Sequence, residues 1–429
     1  MSDPNRIEVP PTGFLFAPVW WRLLGLGLGL SLVGAIGALV FVRLVALGTD
    51  LVWGDDAVSV DLFSGTLIML VIMTGAGLVA GIIHRLIPDA AAGDVFGGLV
   101  EGKMDTKPVV GGLLVSLVSL IGGFSLGPEV PTGMLAGGAA SAVADRRDWD
   151  ETTRKVTFGS AIAGAYGGLF TSPFVAVMLI LELAPPRRLV YLSLLGIEVV
   201  AALVGFAVFF AAGGFADLLS ELSLPDYDLE LWHFVVAIGV GGLGVVGGLI
   251  AAFFASMFQR LAAPFAQRVI VRGLVAGVGL GLLAMAVPLT LFSGATALPE
   301  ATAQAAGIGV AVLVISAIAK IAAMTAAQSF GFIGGPIFPL VFAGGAVGAA
   351  LNGVFPDVPL ALAVTAGMAA VPAVVLPLPL TLGVLAIVIA GTSLELGAPV
   401  LTASVTATLV VQGLKRTTRG KTPETDQAA

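Results

Sequence analysis

The chain has no cysteine among its 429 residues and only two histidines, His84 and His233. Disulfides, thiolate chemistry and cysteine-ligated metals are therefore excluded. An intramembrane enzyme would need a nucleophile with a base or a metal site, and two distant histidines with no H-E-x-x-H spacing make that a poor reading. The chain reads as a non-enzyme without a cofactor. Charge is scarce as well: 11% of residues are charged, against about 25% in soluble domains. The net charge of −7 and pI near 4.9 lack the basic footprint expected of a nucleic-acid binder. A secretory signal is missing too. Met1 to Phe14 carries Asp3, Arg6 and Glu8, and no small-residue cleavage site follows the first long apolar run, so that run should remain as a span.

What is present is apolar surface. Hydrophobic residues make up 58% of the chain and the mean hydropathy is +1.06. Apolar runs follow one another from about residue 20 to residue 413, and one bilayer crossing takes about 20 residues. The fold class is therefore an all-α polytopic membrane protein whose main partner is the lipid bilayer. The 58 glycines and 24 prolines predict broken or re-entrant helices, which survive at membrane depth only where protein or a water-filled cavity satisfies the freed backbone.

Basic clusters mark the cytoplasmic side. They are Arg146, Arg147, Arg154 and Lys155; Arg187 and Arg188; Arg260, Arg268 and Arg272; and Lys415, Arg416, Arg419 and Lys421. The acid-rich connections from Asp50 to Asp61 and from Asp217 to Glu230 are then the outside loops. The expected organisation is a cytoplasmic N-terminal segment (1–17), a first membrane half (18–213), an acidic extracytoplasmic connection (214–232), a second membrane half (233–414) and a polar cytoplasmic tail (415–429). Both termini should lie in the cytoplasm and the protein in the cell membrane.

The two halves share a phrase. Gly123-Phe124-Ser125-Leu126-Gly127-Pro128-Glu129-Val130-Pro131 returns as Gly331-Phe332-Ile333-Gly334-Gly335-Pro336-Ile337-Phe338-Pro339, a common G-F-x-x-G-P-x-x-P at an offset of 331 − 123 = 208 residues. A second correspondence sets Ala161 to Gly168 before Pro173 beside Gly367 to Val374 before Pro379, offset 379 − 173 = 206. Paired Gly/Pro-broken segments in two halves of a membrane chain point to a transport site.

Proline favours the first helical position, so Pro131 and Pro339 are expected helix starts. Each would leave backbone donors on the residues that follow, Thr132, Gly133 and Met134 in one copy and Leu340, Val341 and Phe342 in the other, at the positive end of the helix dipole. That is an anion site without a fixed cation, which suits conduction because binding must be weak enough to permit exit. Glu129 stands two residues before Pro131, where Ile337 stands in the other copy. Its carboxylate would compete with a permeant anion for the same donors and, once protonated, would withdraw. The alternative is a carboxylate that only caps its own helix. The gate is the preferred reading, since an ionisable group within the membrane is functional by default.

The remaining charges within spans are weaker signals. Glu182 reads as a partner for Arg187 rather than a proton relay, Glu198 and Lys320 as snorkelling or paired, Glu395 as a loop residue after Gly391, and His84-Arg85 as an interfacial helix end. The glycines at 25, 27, 29, 34 and 37, and at 239, 241, 242, 244, 247 and 248, read as helix-packing positions.

These segments together resemble the chloride channel (CLC) family of anion channels and proton-coupled anion antiporters. Gly127-Pro128-Glu129-Val130-Pro131 with its glycine-rich lead is similar to that family's G-[KR]-E-G-P signature, which puts Glu129 on the external gating glutamate. Gly335-Pro336-Ile337-Phe338-Pro339 resembles the G-x-F-x-P signature that supplies backbone ligands. Phe170-Thr171-Ser172-Pro173 through Glu182 is similar to the helix ending in paired carboxylates.

The resemblance implies a CLC-like inverted two-half repeat and a homodimer with one pore per subunit. It also implies anion binding by the backbone at Gly127, Val130, Thr132, Gly133, Gly335, Ile337 and Phe338. Asp94 and Glu182 are candidates for an inner pore or proton path. Leu183 stands where the antiporters' second acid falls, and neither the inner serine near residues 89–99 nor the central tyrosine has a counterpart. The expected function is passage of a small inorganic anion, chloride or another halide-like ion, with a channel preferred to a proton-coupled antiporter. A secondary transporter of organic solutes is more remote.

Overall fold

The computed structural model describes residues 18–54, 65–184, 191–213, 222 and 224–419. The N-terminal segment 1–17, residues 55–64 of the first acidic connection, 214–221 and 223 of the second, Arg187 with Arg188, and the tail from 420 onward lie outside the described residues.

Lipid leaves a backbone no water to bond with, so spanning segments satisfy themselves as helices. The described chain follows that rule. Its helices are, in order, α1 (Pro18–Trp53), α2 (Leu67–Leu86), α3 (Val95–Glu101), α4 (Val109–Ile121), α5 (Glu129–Arg146), α6 (Glu151–Leu169), α7 (Pro173–Leu183), α8 (Tyr191–Ala211), α9 (His233–Ala262), α10 (Val269–Ala286), α11 (Ala297–Ala303), α12 (Ala305–Ile308), α13 (Val310–Ser329), α14 (Ile337–Val354), α15 (Leu360–Val375), α16 (Pro379–Ala390) and α17 (Gly397–Arg419). Seven helical segments among the described residues are long and apolar enough to cross a membrane. Others, such as α4, α7 and α16 with 13, 11 and 12 residues, fall short of the roughly 20 that a crossing needs. They are the broken elements that the glycine and proline content announces.

The order of elements repeats. The run α4 to α8 and the run α13 to α17 each contain a helix leading into the shared phrase, a Pro-capped helix (α5, α14), a buried helix (α6, α15), a helix with proline in its first turn (α7, α16) and a long closing helix (α8, α17). Pro173 and Pro379 occupy that same first-turn place in their helices, where a missing N–H costs nothing.

Two compact units form. One holds the described residues within Met1–Gly48, Ile83–Val118 and Pro128–Leu218. At its centre lies α6, buried from Val156 to Leu169. Small residues set its spacing: a Cβ added to Gly34 of α1 would lie 2.4 Å from the Ala161 carbonyl oxygen, and one on Gly205 of α8 would lie 1.8 Å from that of Gly164. The other unit holds the described residues within Thr49–Ile82, Ser119–Gly127 and Leu219–Ala429. There α14 and α15 cross backbone to backbone at Gly344 and Gly367, α2 and α10 do so at Gly77 and Gly273, and α9 lays Gly244 against Ala370. Gly25, Gly29, Gly239 and Gly242 face open space instead, so only part of each glycine series acts in packing.

Candidate functional site

The two copies of the shared phrase bond to each other at their glycines. The N–H of Gly127 donates to the carbonyl of Gly335 at 2.8 Å and the N–H of Gly335 to the carbonyl of Gly127 at 2.7 Å, an antiparallel pair. Phe124 and Phe332 stack alongside, with ring centroids 3.9 Å apart. All of these residues belong to the second unit.

The reason lies in how each preceding helix stops. Gly123 and Gly331 take φ values of +82° and +92°. In both copies the following phenylalanine N–H reaches back five residues, Phe124 to Ser119 and Phe332 to Ala327, while the glycine N–H reaches back three, to Leu120 and Gln328. This is the Schellman ending, which needs a left-handed residue that glycine adopts at little cost. Two identical stops turn the chain in the same way and bring the two glycine pairs together.

After the pairing glycines the chain enters α5 and α14. Here the structure corrects the expected helix starts. Pro128 (φ −80°, ψ −3°) and Pro336 (φ −91°, ψ −11°) are the N-caps, and the helices begin at Glu129 and Ile337, so Pro131 and Pro339 sit at the third helical position. Proline is tolerated there because it still precedes the first intrahelical bond. That bond runs from Thr132 N–H to Pro128 O at 3.1 Å in one copy and from Leu340 N–H to Pro336 O at 3.1 Å in the other.

The donor positions therefore move toward the N-terminus. The Thr132 amide is engaged, Gly133 falls within the helical register, and the amides of Gly127 and Gly335 hold each other. The first-turn residues are Glu129 and Val130 ahead of Pro131 in α5, and Ile337 and Phe338 ahead of Pro339 in α14.

Glu129 is fully buried. Its carbonyl accepts hydrogen bonds from the Thr132 hydroxyl at 3.1 Å and the Tyr166 hydroxyl at 2.8 Å. A Cβ on Gly133 would lie 2.3 Å from the Tyr166 hydroxyl oxygen, so glycine is what lets α6 bring that ring against the first turns of α5. The sequence does not single out Tyr166; its place amid the small residues from Ala161 to Gly168 is the one signal that marks it.

The inner candidates are placed separately. Asp94 caps α3, accepting the Gly97 N–H at 2.8 Å, and lines a cavity of about 260 Å³ with Glu101, Lys103 and Asp105. Glu182 is the penultimate residue of α7 and half-buried; its expected partner Arg187 lies outside the described residues. Glu198 is half-buried on α8 facing Gly159 of α6, and Glu395 lies exposed in the short turn after α16.

Lys320 departs from its expectation. It neither snorkels nor pairs with an acid. It is fully buried and donates to the carbonyls of Leu289, Leu291 and Phe292 at 3.1, 2.7 and 2.8 Å.

Comparison with known proteins gives the same outline. The family described as voltage gated chloride channel matches residues 75–412. The YfeO proteins of Salmonella paratyphi A and Salmonella newport, named as ion-transport proteins, are each 28% identical over 367 residues, covering 82% of this chain and 86% of theirs. Among solved structures, a slow cyanobacterial Cl⁻/H⁺ antiporter aligns with TM-score 0.74 at 18% identity, over 94% of this chain and 99% of the other. A CLC-type fluoride/proton antiporter aligns with TM-score 0.71 at 17% identity, over 92% and 96%. At that identity the likeness is one of fold: a helical membrane fold of the CLC type.

Proposed function

We propose, from the premise that the chain belongs to the voltage gated chloride channel family, that it conducts a small inorganic anion along a path gated by Glu129. Membership gives a multi-pass anion channel or transporter; the ion, the path and the gate are the proposal. One observation carries it: a pair of identical helix entries, joined at Gly127 and Gly335, of which one begins with a buried acid and the other with isoleucine.

The N-terminal ends of α5 and α14 each carry the positive pole of a helix dipole, which favours an anion without a fixed counter-charge. The Glu129 carboxylate competes with that anion while ionised and yields when protonated. Both termini lie in the cytoplasm, the protein works in the cell membrane, and it pairs as a homodimer. The channel is preferred to the antiporter because Leu183 stands where a second acid would relay protons. The antiporter remains the second reading, supported by the two solved proteins of like fold, a Cl⁻/H⁺ and a fluoride/proton antiporter. Asp94 and Glu182 belong to the inner mouth.

The test is flux from purified protein in liposomes with chloride, fluoride, nitrate and a pH electrode. Wild type should pass anion, and Glu129→Gln should change the rate and remove its pH dependence. Wild-type flux with an unaltered Glu129→Gln profile would overturn the gate. A reversal potential that ignores a proton gradient selects the channel, and one that follows it selects the antiporter.

A further inference from the structure

Lys320 donates to three carbonyl oxygens, and three is the full donor count of an ammonium. A neutral amine has two N–H groups and would turn its lone pair on the third carbonyl. The three acceptors therefore match the charged form of the lysine, in the interior of the second unit. The Nζ also lies 5.0 Å from the ring centroid of Phe342 on α14, a further contact that favours the cation. None of the ion pairs among the described residues includes Lys320. In the charged form its positive charge would be solvated by dipoles and a ring but not cancelled.

The position within the repeat is informative. At the 208-residue offset Lys320 corresponds to Gly112 (320 − 208) and Ile337 to Glu129 (337 − 208). Gly112 has no room for a side chain, since a Cβ there would lie 2.4 Å from the Ala91 carbonyl oxygen. The first copy carries the acid and the second carries the buried base, although the backbone pattern is common to both. A buried charge without an ionised partner is expensive to keep, and three neutral acceptors held in register are a specific device for keeping one.

We infer that Lys320 is a specificity-determining residue that raises anion affinity at the N-terminal end of α14 through its uncancelled charge. The inference rests on the anion-conducting reading above. Phe342 is one helical turn, a rise of about 6 Å, beyond Phe338, so the ring contact puts the charge on the order of 10 Å from an ion at the N-terminal end of α14. A unit charge at that distance, in a medium of effective dielectric about 20, changes affinity on the order of tenfold.

The experiment measures half-saturating chloride and nitrate concentrations for liposome flux, with calorimetric chloride binding in detergent beside it. Lys320→Met removes the charge. Ser316→Asp, at a buried position one turn earlier on the same helix, cancels it while leaving the three hydrogen bonds in place. Both should raise the half-saturating concentration about tenfold with the maximal rate largely kept, and Lys320→Arg should restore affinity relative to Lys320→Met. Folded variants with wild-type affinity would overturn the inference, and so would failure of both variants to fold, which would reduce Lys320 to a structural brace. Absence of anion flux in the wild type would instead sink the functional reading itself.

Discussion

The Tyr166 hydroxyl donates a 2.8 Å hydrogen bond to the Glu129 carbonyl, so the residue that carries the proposed gate is held through its backbone by a side chain of α6. Tyr166→Phe removes this bond and keeps the packing. It should lower stability by about 1 kcal/mol and shift the pH at which anion flux is half-maximal, read from liposome flux across a pH series. An unchanged profile would make Tyr166 a packing residue only.

Gly123 and Gly331 do the same conformational work in different surroundings. Alanine at either must adopt positive φ at a cost of roughly 1–2 kcal/mol. At Gly123 its Cβ would also lie 2.7 Å from the Trp53 ring, whereas at Gly331 it would meet the guanidinium end of Arg272 at 2.6 Å, which can move away. Thermal unfolding in detergent should therefore fall for both, more for Gly123→Ala. Equal, small losses would contradict the Schellman assignment.

The glycines divide by what stands opposite them. Gly77→Val would press a side chain into the Gly273 carbonyl, 2.3 Å from an added Cβ, and should prevent α2 and α10 from closing, with loss of folded protein on size-exclusion chromatography. Gly25→Ala and Gly239→Ala project into open space and should be neutral or gain several tenths of a kcal/mol from helix propensity.

Asp150 caps α6, and its carboxylate is held below the usual range, first by the Thr153 hydroxyl and then by the Thr153 N–H. A lowered folded-state pKa contributes stability above the ordinary carboxylate value of about 3.9, and that contribution is lost as pH falls through the folded value. Asp150→Ala should cost about 1 kcal/mol at neutral pH, and the gap from wild type should narrow on acidification below pH 4. A gap that is constant with pH would place the stabilisation in packing.

Much of this was legible from the chain. Hydropathy gave the helical membrane class, and the repeated phrase located the joined glycines because the same stop signal and the same breaker recur at one offset. The helix starts were read two residues late, since proline preference points to Pro131 and Pro339, while Pro128 and Pro336 already take helical angles. Lys320 and Tyr166 escaped for a different reason. What makes each matter is a partner 28 to 37 residues away, and a lysine with three carbonyls around it looks in sequence like any lysine in an apolar run.

The bond between Gly127 and Gly335 also sets an order of manufacture. Residues 119–127 are made with the early part of the chain yet pack with the later unit, so they must wait for residues 331–335. At about 5–20 residues per second, the ribosome needs on the order of 10–40 s to cover that gap. Throughout that interval the nascent strand edge at Gly127 lacks its mate, and whatever machinery receives the chain in the bilayer has to shelter it until the second copy arrives.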